Sequence, residues 1–365
     1  MCLRGNSVKI LAPVNKFQEV EGIINAGASE LYCGVLPDSW LKKYTNVASP
    51  NRREWSSANL PDFRELNRVV NIAHSRHVPV YLTVNTFYTQ EQYPLILQHI
   101  ERAKEIGVDA FIIGDIGLML ILKGMNLGVD FHISNTGTAF NSETIKFYKE
   151  LGASRVVLPR QLTIEEISDL SDLEKDIELE VFIMNSGCKN IDGFCTFHHG
   201  TSEILYPRIW DFFKKLGFDH YLLELIRRAP FGLSRRIKGD VFGIDSACLL
   251  NYKITGVSSE LSDEDISVEI KAISSSFNLF SGADPCGACD LYRFNKIGID
   301  SVKIVGRNYP AYKKIKDVRF LKSLLVDLKQ NPGILEGDFK KIARARYRSV
   351  YKFDCGSFCY RLACH

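Results

Sequence analysis

Short apolar runs alternate with amphipathic stretches along the first half of the chain. The runs are nearly continuous, which is typical of parallel strands that are covered on both faces, and helical periods follow them. Predicted strands are 8–13, 30–34, 78–85, 110–115, 130–134, 155–159 and 179–184, and an eighth, 301–305, follows a long interval. Predicted helices between them are 17–26, 63–75, 93–106, 118–124, 142–151 and 163–170.

This alternation predicts an α/β protein whose simplest closure is a (β/α)8 barrel of the TIM type. Glycines that can end helices stand shortly before several of the strands, as at Gly107 and Gly152. A doubly wound open sheet is the alternative. It is weakened because no glycine fingerprint for phosphate follows the first strand. We therefore expect a barrel over residues 1–310.

The interval before the eighth strand is too long for a simple connection. We interpret residues 196–285 as an insertion at the catalytic face of the barrel, and it carries a basic segment at 227–238. Residues 311–365 are predicted to form a helical extension that ends in a cysteine-rich tail.

The amino-acid composition excludes few classes of protein. The chain is 45% hydrophobic and 24% charged, with a net charge of +3, so an RNA partner is allowed but not indicated. No apolar run approaches the length of about 18 residues that a spanning helix needs, and the first residues lack a signal-peptide core. The sequence predicts a cytoplasmic protein without a membrane span.

Cysteine is the most informative residue type in this chain. Ten cysteines in a cytosolic protein favour metal or redox chemistry over disulfides. Five of them fall near predicted strand ends or in loops: Cys188, Cys195, Cys248, Cys286 and Cys289.

Scattered thiolates favour an iron–sulfur cluster over a catalytic zinc. His198 and His199 keep a zinc site open as the alternative. The sequence assigns no role to Cys355, Cys359 or Cys364.

Two arginines and one histidine are the candidates for substrate chemistry. Arg160 and Arg307 follow predicted strands, so both should reach the barrel mouth and could bind a carboxylate or phosphate. A structural ion pair is the alternative for each. His132 is the histidine that we would place near the mouth, although a core histidine is the commoner outcome for such a position. No serine or zinc hydrolase motif accompanies it.

Four stretches make the chain resemble the collagenase-like peptidases known as family U32. They are Leu11-Ala-Pro13 through Gly27-Ala-Ser-Glu-Leu-Tyr-Cys-Gly34, Leu151-Gly-Ala-Ser-Arg-Val-Val-Leu-Pro-Arg-Gln-Leu162, Glu180-Val-Phe with Cys188 and Gly193-Phe-Cys195, and Gly298-Ile-Asp-Ser-Val-Lys-Ile-Val-Gly-Arg307.

The resemblance implies more than the family name says. Some of these proteins resemble oxygen-independent hydroxylation factors that act in ubiquinone synthesis or on tRNA and rRNA. Such factors carry a [4Fe–4S] cluster bound by four cysteines, and prephenate is implicated as their oxygen source. Carried over by position, the ligands would be Cys188, Cys195, Cys248 and either Cys286 or Cys289. Prephenate would suit the two mouth arginines, and a homologous partner subunit is a further expectation. A peptidase and a non-catalytic, metal-stabilised subunit are the alternatives.

Overall fold

The computed structural model describes residues 8–44, 49–53, 58–185, 187–188, 190–194, 285–352, 354–355 and 359–360. The chain divides into two compact units, one of residues 1–187, 191–194 and 283–365 and the other of residues 188–190 and 195–282. The barrel and the helices around it belong to the first unit. Nearly all of the predicted insertion lies outside the described residues, so its bounds stay a prediction.

The first unit is built on a closed barrel of eight parallel strands that follow one another in chain order. The first strand pairs with both the second and the last, which closes the sheet. The predicted (β/α)8 barrel is thereby confirmed, and the open-sheet alternative is wrong. The strands are β1 (Lys9–Pro13), β2 (Glu30–Cys33), β3 (Val80–Val84), β4 (Ala110–Ile113), β5 (Asp130–Ile133), β6 (Arg155–Val157), β7 (Glu178–Met184) and β8 (Ser301–Ile304).

Helices connect the strands and extend the chain beyond β8. Among the described residues they are α1 (Val20–Asn25), α2 (Asp38–Lys43), α3 (Phe63–His74), α4 (Tyr93–Ile106), α5 (Ile116–Met125), α6 (Ser142–Glu150), α7 (Ile164–Leu173), α8 (Leu291–Ile297), α9 (Ala311–Gln330) and α10 (Glu336–Tyr351). None of these described helices combines the length and the apolar character needed to cross a lipid bilayer.

Local chemistry sets many of the helix boundaries that the sequence predicts. At the start of α7, the Thr163 side chain accepts from the Glu166 backbone N–H, and the Glu166 carboxylate accepts from the Thr163 N–H. Helix α4 ends at Gly107, whose φ of +98° is the left-handed conformation that glycine adopts without strain.

The structure differs from the prediction mainly where strands meet the mouth loops. Strand β4 ends at Ile113 rather than at Asp115, because the Asp115 carboxylate caps α5 by accepting from the Leu118 N–H at 2.6 Å. Helix α2 is not predicted, since its six residues are too few to show a helical period.

The core lies in two layers. A small apolar cluster fills the inside of the barrel, with Leu11, Tyr32 and Tyr81 among its members. A much larger one lies between the strands and the surrounding helices. Helices α9 and α10 join that outer layer through Phe320 and Phe339. The barrel interior is therefore mostly closed, and its two ends carry the polar chemistry.

Candidate functional site

Arg307 lies at the carboxyl end of the barrel, where β8 turns into the loop before α9. The turn depends on Gly306, which has a φ of +104°. The Arg307 side chain is buried, and its Nη1 donates to Thr83 Oγ1 at 2.9 Å. Its Nη2 donates to the Asn51 carbonyl at 3.2 Å and to Asn51 Oδ1 at 3.0 Å.

Gly34, at the end of β2, makes room for that guanidinium. A Cβ placed on Gly34 would lie 1.9 Å from Arg307 Nη1 and 2.6 Å from Asn59 Oδ1. Any side chain here would displace the arginine. The glycine that closes the first family motif therefore has a physical reason to be there.

The Arg307 charge is not balanced within the described part of the chain. The side-chain partners of its guanidinium are Thr83, Asn51 and Asn59, all of which are neutral. Burial lowers the pKa of Arg307 to about 10, and the nearby charge of Arg53 acts in the same direction. A buried cation with neutral partners is the electrostatic setting that an anionic ligand completes.

A second patch of the mouth holds polar atoms that have no partner among the described residues. Asn85 follows β3 and donates through Nδ2 to Ser134 Oγ, which follows β5, at 3.2 Å. The buried Asn85 Oδ1 and Thr136 Oγ1 make no hydrogen bond to the part of the chain that the structure describes. Both residues border Gly114, since a Cβ there would lie 2.3 Å from Thr136 Oγ1 and 2.8 Å from the Asn85 carbonyl oxygen. This patch offers an acceptor and a hydroxyl to a polar ligand.

The C-terminal tail supplies a third patch. Tyr360 packs against Val157, Phe182 and Val305, which form a buried apolar cluster. Its hydroxyl donates to the Asn185 carbonyl at 2.6 Å. Because these residues lie on or just after β6, β7 and β8, an aromatic side chain from the far end of the sequence stands at the barrel mouth.

Arg160 has a different environment from Arg307. Its Nη1 donates to Asp192 Oδ1 at 2.6 Å, and its backbone N–H donates to Asp192 Oδ2 at 2.9 Å. The guanidinium also stacks 3.8 Å from the Phe182 ring centroid. Its charge is thus matched by a carboxylate, as the structural ion-pair alternative supposes.

His132 is not at the mouth, so the predicted placement of this residue is wrong. The ring is buried inside the barrel against Tyr81, with the ring centroids 4.6 Å apart. Burial holds the pKa of His132 well below its usual range, and the charges of Arg155, Lys303 and Lys9 lower it further. His132 pairs in register with Arg155, the first residue of β6, so it belongs to the amino-terminal part of the barrel.

The predicted metal ligands are only partly described. Cys195 and Cys248 lie outside the described residues, as do His198 and His199, and Cys188 is an exposed thiol of the second unit. Cys286 and Cys289 are half-buried thiols of the first unit, next to the end of β7. Across the described residues, no three His, Cys, Asp or Glu side chains form a ready-made metal site.

Sequence reasoning missed several residues of the mouth, among them Asn51, Asn59 and Tyr360. The two asparagines fall in the β2–β3 connection, where no period or motif marks them. Tyr360 stands beside Cys359 in the cysteine-rich tail, which could have drawn attention to it, but nothing in the sequence indicates that the tail returns to the barrel.

A family model described as Peptidase family U32 matches residues 15–203. The tRNA hydroxylation protein P of Helicobacter pylori is 26% identical over 190 residues, which cover 52% of this chain and 42% of that protein. An uncharacterized protease of Methanocaldococcus jannaschii is 31% identical over 194 residues, covering 52% and 43%. A collagenase of Porphyromonas gingivalis is 26% identical over 200 residues, covering 52% and 44%.

Each of these matches spans about half of this chain and less than half of the relative. The relatives carry names from two classes of activity, RNA hydroxylation and proteolysis.

Proposed function

Since the chain belongs to peptidase family U32, we propose that it is an oxygen-independent hydroxylation enzyme that modifies an RNA base with the help of a small anionic co-substrate. The relatives named as tRNA hydroxylation proteins support an RNA substrate. Arg307 carries the proposal, because it is buried at the barrel mouth with neutral side-chain partners among the described residues and is suited to hold the co-substrate anion.

The mouth has the functional groups that such a co-substrate requires. Arg307 would bind one carboxylate, and the adjacent charge of Arg53 favours a second negative group. A dicarboxylate such as prephenate, with a hydroxyl to meet Asn85 Oδ1 or Thr136 Oγ1, fits this combination. Neutral hydrogen-bond partners hold the guanidinium of Arg307 in place before the ligand arrives, so little ordering is needed on binding.

The proposed cofactor is a [4Fe–4S] cluster held by Cys188, Cys195, Cys248 and either Cys286 or Cys289. The described members of this set are thiols outside any disulfide, a donor chemistry that fits such a cluster. When bound, the cluster would supply one-electron chemistry. Zinc at the same thiolates is the alternative.

A peptidase is the second candidate, favoured by the relatives named as a protease and a collagenase. Ser39 Oγ lies 3.0 Å from His99 Nε2, as a nucleophile and its base would. Burial, together with the charge of Arg102, lowers the pKa of His99 to about 4, which makes it a poor base. Among the described residues, no carboxylate orients this ring, so the pair lacks the third member that a triad requires.

Isothermal titration calorimetry with prephenate tests the anion site. We expect Arg307→Met to weaken binding by about 10- to 100-fold, the loss that a charge-assisted hydrogen bond represents. Arg160→Met is the matched control, because that arginine is also at the carboxyl end but is paired with Asp192. It should change the affinity by less than about 3-fold, in line with a guanidinium whose charge is already satisfied.

Equal losses in both variants, or no effect of Arg307→Met, would contradict the proposal. Anaerobic incubation with tRNA and prephenate, followed by nucleoside mass spectrometry, then tests the reaction through the gain of one oxygen atom. Cleavage of casein or gelatin by the wild type, with no modified nucleoside, would favour the peptidase instead.

A further inference from the structure

The positive charge of this chain is concentrated in the two helices that follow the barrel. Residues 311–352, which include α9 and α10, contain 12 Lys and Arg against four Asp and Glu, a net charge of +8. All other residues together contain 34 Lys and Arg against 39 Asp and Glu, a net charge of −5. The net charge of +3 is therefore the sum of one strongly basic segment and an acidic remainder.

The four acidic side chains of this segment already have cationic partners within it. The ion pairs are Lys313–Asp317, Arg346–Asp327, Lys340–Glu336 and Lys341–Asp338. Five further cations of the segment have no carboxylate partner among the described residues, namely Lys316, Arg319, Lys322, Lys329 and Lys352. Their charge is available to a negatively charged partner.

Three of these five cations lie along the exposed side of α9. Arg319, Lys322 and Lys329 are all exposed, and their spacings of three and seven residues keep them on one side of the helix. They extend over about 15 Å of its length, at 1.5 Å per residue. The two remaining cations lie where α9 meets the end of α10. Lys316 Nζ lies 4.8 Å from the ring centroid of Tyr351, the residue before Lys352.

This row of cations begins beside the barrel mouth. Lys313, in the first turn of α9, donates from Nζ to Asn185 Oδ1 at 2.7 Å, and Asn185 follows β7 directly. Helix α10 ends near the same place, because the Tyr351 hydroxyl donates to Asp317 Oδ1 at 2.6 Å. A polymer bound along α9 would therefore extend to the mouth, where Arg307 lies.

We propose that the basic face formed by Lys316, Arg319, Lys322, Lys329 and Lys352 binds the phosphate backbone of the RNA substrate and directs it to the barrel mouth. The inference rests on the proposed function, which supplies RNA as the partner. Lysine and arginine side chains neutralise phosphates whatever the base sequence, so a face of this kind positions a nucleic acid. Tyr312, at the start of α9, is 72% exposed and offers a ring on which a base can stack.

A lipid surface fits this face less well than RNA does. A helix that lies on a membrane inserts its apolar side between the lipids, with the basic side at the headgroups. The apolar residues of α9, among them Val318, Phe320 and Leu324, are buried in the core between helices and barrel. Helix α9 therefore has its basic side exposed while its main apolar side is already covered by protein.

Fluorescence anisotropy with labelled, unfractionated tRNA, in the absence of prephenate, tests the basic face. The triple variant Arg319→Gln, Lys322→Gln, Lys329→Gln should bind tRNA at least about 10-fold more weakly at about 0.1 M salt. The slope of log K against log salt should become shallower by about 2 to 3, because each lost phosphate contact removes about 0.7–0.9 from it.

The matched control removes the same number of cations from another surface. Arg68→Gln, Lys146→Gln, Lys149→Gln lies on α3 and α6, where each cation is paired with a carboxylate. This control lowers the net charge equally, yet it should change tRNA affinity by less than about 3-fold, since its cations are already matched. Both triple variants should bind prephenate as the wild type does.

Acetylation of lysines in the wild type, with and without tRNA, needs no substituted protein. Bound tRNA should protect Lys322, Lys329 and Lys352 from the reagent. Lys146 and Lys149 of α6 should react equally in both samples, because they lie on the control surface.

Equal salt slopes in the wild type and the α9 variant would overturn the proposal. Protection of Lys238, in the basic segment at 227–238, in place of the α9 lysines would also overturn it. The same holds if the wild type binds vesicles of equal parts phosphatidylcholine and phosphatidylserine but not tRNA. Hydroxylation is measured separately. A wild type that binds tRNA through α9 but adds no oxygen to it would contradict the proposed function alone.

Discussion

A buried arginine lies at each end of the barrel, and the two guanidinium groups have different kinds of partner. At the amino end, Arg155 donates to Glu30 at 2.7 and 2.9 Å, to Glu178 at 2.8 Å and to Glu180 at 3.1 Å. Lys303 pairs with Glu180 at 2.8 Å and Lys9 pairs with Glu178 at 2.9 Å. Three cations thus meet three carboxylates, and the network is electrically closed.

At the carboxyl end, the partners of the Arg307 guanidinium among the described residues are neutral, and Asn85 Oδ1 and Thr136 Oγ1 have no partner there. The two ends therefore represent two uses of buried charge. At the amino end, every charge in the network is paired with an opposite charge, so the network can stabilise the strands but has no group left to bind a ligand. At the carboxyl end, a charge without a counter-charge and polar atoms without partners in the described part of the chain can bind a ligand. In a (β/α)8 barrel, the open end is the face on which active sites are found.

The largest expected effect comes from breaking the closed network. Arg155→Met would leave Glu30, Glu178 and Glu180 with too few cations and should lower the free energy of unfolding by about 3–5 kcal/mol, because unpaired buried carboxylates are costly. Chemical denaturation near neutral pH measures it. The control is Arg293→Met, which removes the exposed pair with Glu165 and should cost less than about 1 kcal/mol. A similar decrease in the free energy of unfolding for both variants would show that the buried network at the amino end stabilises the protein no more than an exposed ion pair does.

An intermediate effect is expected at Lys314, a buried cation with one carboxylate partner, Glu19, at 2.8 Å. Burial lowers the pKa of Lys314 to about 8, although Glu19 acts to raise it. Between that value and the ordinary 10.5 the unfolded chain binds more protons, so the Lys314 contribution to stability increases as the pH rises through this window. The gain in the free energy of unfolding is at most about 3.5 kcal/mol, at about 1.4 kcal/mol per pKa unit.

Denaturation at several pH values checks the Lys314 contribution. Lys314→Met should lack this rise, and the difference between wild type and variant is the quantity to compare. A difference that falls with pH over the window would show that the lysine is stabilised, not penalised, by its site.

The smallest effect on stability is expected at the open end. Arg307→Met gives up neutral hydrogen bonds but also removes a desolvated charge, and these two terms oppose each other. The free energy of unfolding should change by no more than about 1 kcal/mol. The same denaturation experiment measures it. A loss as large as that of Arg155→Met would mean that Arg307 is a structural residue and not a binding residue.

Much of the fold could be predicted from the sequence because its signals are local. Helix α4 has the predicted bounds, 93–106, since Gly107 fixes its end. Strand ends were predicted less well, because residues such as Asp115 leave the ladder to make loop contacts. Among the site residues, Arg307 reaches the barrel mouth as the prediction from its position after the last strand required.

Other features depended on contacts that no local pattern encodes. His132 lies on an apolar strand, and only the shear of the barrel places it beside Arg155 at the amino end. The Arg160 ion pair requires Asp192, a loop residue more than thirty positions away.

The sequence by itself determined the family and the barrel, because strand period, helix caps and short motifs are properties of neighbouring residues. Only the tertiary structure decided which buried charges are matched. Arg155 begins a strand and Arg307 follows one, but no local pattern shows that folding brings three carboxylates to Arg155 and two asparagines and a threonine to Arg307. An isolated β-bridge outside the barrel strands brings Cys286 and Cys359 together. Pairing of this kind depends on distance in space, which sequence separation does not reveal.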